Sequence, residues 1–133
     1  MKALVLVAAV VLLASVAEAG QGWYLMVPPT SDYDDRADYL KGFKVLSSRP
    51  LSQWGQEGAY DSAAECEAVK ATQVSLHHRF FEHSSGEYQK AIGAKSDPVT
   101  LRLTRVLSEA DNASVDAYQA SRCVASDDPR LAR

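Results

Sequence analysis

The sequence predicts an α+β domain: a small antiparallel sheet of about three strands packed on one main helix, with a second, less regular helical segment. Three observations lead to this prediction. Short runs of aromatic and apolar residues end at prolines or polar turns, an apolar stripe with helical spacing follows residue 62, and an Asp-Pro pair at residue 97 marks another helix start. The strands are expected near residues 23–27, 54–60 and 122–125.

The N-terminus has the layout of a cleavable secretory signal. Lys2 supplies a positive charge, residues 3–16 carry no charged side chain, and an Ala-x-Ala sequence ends at Ala19. This apolar run of about 14 residues is shorter than the roughly 20 that a membrane-spanning helix needs, which disfavours the alternative of an uncleaved anchor. We predict cleavage between Ala19 and Gly20, export to the periplasm or the medium, and no stable membrane anchor after cleavage.

The mature chain, 20–133, has the length of one domain. Cleavage of residues 1–19 removes Lys2 and Glu18, so the net charge stays at −3. A nucleic-acid-binding protein needs a basic face to meet the phosphates, so this charge argues against nucleic acid as a partner. It also argues against binding to an anionic membrane surface through charge.

The first two strands are predicted from aromatic residues. Residues 23–27 form a dense aromatic and apolar run that a double proline ends, which is typical of a short strand. Residues 30–42 are polar and are expected to form an exposed loop. Residues 54–60 alternate with Trp54 and Tyr60 on one side, and the glycines between them indicate a bulge or a close approach of backbones.

The main helix is predicted to begin after Ser62. Ser62 and Glu65 fit a capping box, although Asp61 could instead serve as the cap. The helix is expected to run to about His83 and to end at 84–86, where two serines and a glycine follow. Its apolar stripe has a single polar interruption and consists of Ala63, Cys66, Val69, Gln73, Leu76 and Phe80.

The second helical segment is predicted to begin at Asp97-Pro98, with the aspartate as cap and the proline in the first turn. Residues 99–103 also match strand alternation, but Arg105 breaks it, so a helix is favoured. A turn is expected at 111–114, then a further helical turn, the last strand and a polar tail over 127–133. The apolar positions with helical spacing are Val99, Leu103, Val106, Leu107 and Ala110.

Cys66 and Cys123 are the only cysteines, and 56 residues lie between them. In an oxidising compartment an even number of cysteines in a small domain is typical of a disulfide. The alternative, a redox-active pair, usually has Cys-x-x-Cys spacing, which is missing here. We predict a structural disulfide that ties the start of the main helix to the last strand.

Candidate chemistry is sparse. His77, His78 and His83 lie close together with Glu82, and His78 and Glu82 would share a helix face and could hold a metal. The sequence offers no clear third ligand, so a polar helix flank is the favoured interpretation. We predict no metal site, no cofactor site and no catalytic residue.

Other acidic and aromatic residues are also more typical of structural roles than of a binding or catalytic site. The loop carries four aspartates but lacks the glycine and terminal glutamate of an EF-hand calcium loop. Asp127 and Asp128 would point in opposite directions on an extended chain, so they do not form an acid–base pair by spacing. Trp23, Tyr24 and Trp54 could present a face to a partner, but large aromatics in a small domain are usually core. The loop aspartates are Asp32, Asp34, Asp35 and Asp38.

Four segments occur together in an order that resembles a group of small, exported, uncharacterised bacterial proteins. The segments are Trp23–Pro29 (WYLMVPP), Pro50–Trp54 (PLSQW), Tyr60–Glu67 (YDSAAECE) and Arg122–Leu131 (RCVASDDPRL). They cover about a quarter of the mature chain. Residues 70–120 carry no part of the resemblance. The resemblance implies bacterial origin and export, but it implies no chemistry because the group has no assigned activity.

Two functional classes follow from these observations. The favoured class is a non-enzymatic exported protein, held together by its disulfide, that binds an unknown protein or envelope component. The alternative is a metal-binding or small hydrolytic envelope protein that uses the His77–His83 cluster.

Overall fold

A computed structural model of the protein describes residues 22–31 and 42–132. The predicted signal peptide, its cleavage position at Ala19 and Gly20, and the four loop aspartates lie outside these residues. The structure confirms the α+β fold class, with a three-stranded antiparallel sheet and two helices. Its elements are β1 (Trp23–Val27), β2 (Gly55–Tyr60), α1 (Ala63–Gly93), α2 (Pro98–Ala120) and β3 (Arg122–Ala125), with short 3₁₀ turns at Leu51–Gln53 and Pro129–Leu131.

The sheet has the order β2-β1-β3, so the first strand of the domain is the central one. Both neighbours run antiparallel to β1, with Leu25 paired to Gly58 on one side and to Cys123 on the other. The pairing with β2 shifts after Leu25, because Met26 pairs with Gln56 and leaves Glu57 as an extra residue. This is the bulge that the glycine-rich strand predicted.

The two faces of the sheet bury different clusters, as alternation along β1 requires. Leu25 and Val27 point towards the helices and pack with Cys66 and Ala117. Met26, the residue between them, points to the other face. The cluster on that other face, which the 3₁₀ turns cover, consists of Met26, Leu51, Trp54 and Val124, with Tyr24 and Leu131 packed against it.

Helix α1 begins with the predicted serine cap, and Glu65 reaches back past it. The Ser62 hydroxyl accepts a hydrogen bond from the Glu65 backbone N–H at 3.1 Å, and the Glu65 carboxylate accepts one from the Asp61 N–H at 3.2 Å. Ser62, rather than Asp61, is therefore the cap. The first bond satisfies an N–H group that a helix start otherwise leaves without a partner. The second bond comes from the residue before the cap, whereas in a capping box the carboxylate accepts from the N–H of the cap residue itself.

The prediction that α1 ends near His83 was wrong, because the helix continues without interruption to Gly93. Ser84 is buried, and its hydroxyl donates to the Phe81 carbonyl at 3.2 Å within the helix. Two serines and a glycine cost helix propensity, about 1 kcal/mol for the glycine. Packing along α2 outweighs this cost, since small buried side chains such as Ser84 and Ala91 allow the two helices to lie close together.

The predicted turn at 111–114 was also wrong, because α2 runs unbroken from Pro98 to Ala120. Ala113 is buried, and the Ser114 hydroxyl donates to the Ala110 carbonyl at 3.1 Å. The polar side chains that suggested a turn are thus compatible with a helix that is buried along one side.

The two helices form an antiparallel hairpin, and two contacts link its ends where α1 begins and α2 ends. The disulfide between Cys66 and Cys123, with a Cα–Cα distance of 6.0 Å, confirms the predicted pairing. One turn further along α1, the Lys70 ammonium donates to the Ser121 carbonyl at 2.7 Å. Through these contacts the start of α1 is tied to the strand that follows α2.

The start of α2 should respond to acid. Asp97 accepts hydrogen bonds from the Val99 and Thr100 N–H groups at 2.9 and 3.1 Å and from the Thr100 hydroxyl at 2.6 Å. The bond from the Thr100 hydroxyl, followed by that from its N–H, lowers the pKa of Asp97 below the usual 3.8. A lowered pKa means that the cap stabilises the helix at neutral pH and is lost as the pH falls through the folded-state value.

We therefore expect the amide NMR signals of Val99 and Thr100 to shift together in an acid titration, with a midpoint below 3.8. The variant Asp97→Asn is the matched control, because asparagine caps a helix about as well and does not titrate. A midpoint at or above 3.8, or equal shifts in the variant, would contradict the capping role.

Candidate functional site

Two residues of the histidine cluster, His77 and His78, contact helix α2. The His77 ring stacks on Tyr118 of α2 with centroids 4.3 Å apart, and the His78 Nε2 atom lies 3.3 Å from the Gln119 side-chain nitrogen. Burial raises the pKa of the Tyr118 phenol, and the nearby Glu57 carboxylate raises it further. His77 and His78 thus contact α2. Within residues 22–31 and 42–132, no group of three His, Cys, Asp or Glu side chains is arranged to hold a metal ion.

Asp128 has a local structural partner. Its carboxylate accepts from the Arg130 guanidinium at 2.6 Å and from the Arg130 backbone N–H at 2.9 Å. The guanidinium bonds, followed by the backbone bond, lower the pKa of Asp128 to about 2. Asp128 caps the 3₁₀ turn Pro129–Leu131. The predicted polar tail therefore contains an ordered turn, and Leu131 packs from it against the sheet.

Trp54 is a core residue, as favoured from the sequence. Its side chain is 6% exposed, and its indole N–H donates to the Arg49 carbonyl at 2.8 Å. The Arg122 guanidinium lies 5.4 Å from its ring centroid, in the range of a cation–π contact. Trp23 and Tyr24 are half-buried against the two clusters. The three aromatics therefore do not form one open face.

A shallow cleft of about 350 Å³ lies beside Trp54 on the outer face of the sheet. The hydrogen-bonding side chains among its described lining residues are neutral, and none of these residues is a carboxylate, histidine or cysteine that could transfer a proton or attack a substrate. Three of the four segments that carry the family resemblance meet here, and they supply the second core cluster of the domain. The cleft is lined by Tyr24, Met26, Leu51, Ser52, Trp54, Gly55, Gln56, Ser126 and Leu131.

Comparisons with known proteins do not identify a function for the cleft. No protein-family model, curated protein or solved structure matches the chain. The resemblance to small exported bacterial proteins therefore stays a prediction.

Helix α2 carries three large apolar side chains that are mostly exposed. Val99, Leu103 and Leu107 are 67%, 59% and 60% exposed. They follow each other at intervals of four residues and so lie along one side of the helix. We call these three residues the α2 stripe. Scattered apolar residues on a surface are ordinary, but a row of three large ones is a candidate interaction site.

The α2 stripe continues a face that is buried further along the helix. Positions 99, 103, 106, 110, 113 and 117 alternate in steps of four and three, which keeps them on one helix face. Ala113 and Ala117 at the end of this row are buried, and Ala117 packs against Leu25 of the sheet. The N-terminal half of α2 continues the same face, but there Val99 and Leu103 are exposed.

Helix α1 packs on another side of α2. Ser108 and Val115 are buried and, together with Tyr118, they follow helical spacing along that side. Tyr118 stacks on His77, which shows that this side faces α1. Small and polar residues such as Ser108 therefore form part of the contact between the helices, whereas the large aliphatic side chains of the α2 stripe remain mostly exposed.

The sequence indicated these apolar positions but not their exposure. Their helical spacing predicts one apolar face, and an apolar face is ordinarily read as core. Residue spacing does not show how far the sheet extends along α2. The sheet reaches only the C-terminal half of this helix. Within the described part of the chain, no helix is long and apolar enough to cross a membrane.

Proposed function

We propose that the protein is a non-enzymatic, exported binding protein, and that it contacts a protein partner through the α2 stripe. The observation that carries the proposal is the exposure of Val99, Leu103 and Leu107 at about 60% or more along one helix face. Burying a leucine or valine side chain fully is worth about 1.5–3 kcal/mol, so a row of three is a substantial source of binding free energy.

The proposed export rests on the signal-like N-terminus and is supported by the disulfide. A bond between Cys66 and Cys123 is compatible with an oxidising compartment such as the periplasm or the medium. The alternative function, metal binding or hydrolysis at His77–His83, finds no supporting observation among the described residues, where His77 stacks on Tyr118.

The binding proposal can be tested by affinity capture. Mature protein is immobilised and exposed to an envelope fraction of the source organism, alongside the double variant Leu103→Glu/Leu107→Glu. We expect the wild type to retain at least one protein that the variant loses, because a carboxylate in an apolar contact is costly to desolvate.

The matched control is Gln89→Glu/Asn112→Glu, which adds the same charge at two exposed positions outside the α2 stripe. This control should capture like the wild type. Identical capture by all three proteins would count against the α2 stripe as a binding surface.

A further inference from the structure

We draw no further inference here: the strongest candidate, the shallow cleft of about 350 Å³ on the outer face of the sheet beside Trp54, has neutral hydrogen-bonding side chains among its described lining residues, and nothing in the described part of the chain shows what would occupy it.

Discussion

Removal of the disulfide by Cys66→Ala/Cys123→Ala is expected to lower the free energy of unfolding by about 4 kcal/mol. The bond closes a loop with a sequence separation of 57 residues. In the chain-entropy model, a loop of this length removes a large part of the conformational freedom of the unfolded chain. Small domains have only about 5–15 kcal/mol of stability in total, so the variant should be close to unfolding at 37 °C.

The measurement is equilibrium denaturation in urea, extrapolated to water. Cys66 is fully buried, so the double alanine variant also loses packing. Wild-type protein unfolded in the presence of a reductant is the appropriate control, because it keeps both sulfur atoms and loses only the bond. The explanation would be refuted if the reduced and oxidised proteins unfolded at the same urea concentration, or if denatured, unreduced protein showed two reactive thiols.

Leu25→Ala is expected to cost about 2–5 kcal/mol, the usual range for a leucine that is truncated in a packed core. Leu25 is 0% exposed on the central strand, and its side chain packs with Val27, Cys66 and Ala117 where sheet and helices meet. Both helices and the sheet contribute to this cluster, so the cavity left behind cannot be filled by the movement of one element.

A matched control is available in the same chain. Leu103→Ala removes the same atoms from a side chain that is 59% exposed, and should change the stability by no more than about 0.5 kcal/mol. Both variants are compared with the disulfide intact. Similar losses at the two positions would mean that Leu103 is covered in solution or that Leu25 is not the centre of the core.

The strands and the helix starts could be predicted because their signals are local. The aromatic run that ends at Pro28 predicted β1, and Ser62 with Glu65 predicted where α1 begins and which residue caps it. The pairing of Cys66 with Cys123 was also predictable, since two cysteines allow a single intramolecular bond. Each of these features depends on a few neighbouring residues or on the number of cysteines.

The helix lengths and the candidate site depend on contacts between distant residues, which one sequence does not display. Residues 84–86 and 111–114 carry local signals for a break, yet Ser84 and Ala113 are buried and the helices continue. The exposure of the α2 stripe depends on where the sheet ends relative to α2. Spacing along the chain shows that Val99, Leu103 and Leu107 share a face, but it does not show what covers that face.

The strand order has a consequence for the sequence of folding events. Leu25 pairs with Cys123, so the central strand receives its second neighbour from a segment 98 residues later in the chain. Contacts of such high contact order form slowly, whereas the two helices between them can assemble from nearby residues. We expect the helical hairpin to form early. Because its helices are antiparallel, it brings the chain back to the end at which α1 begins. The lengths of the two helices then place β3 beside the unpaired edge of β1. The disulfide forms last.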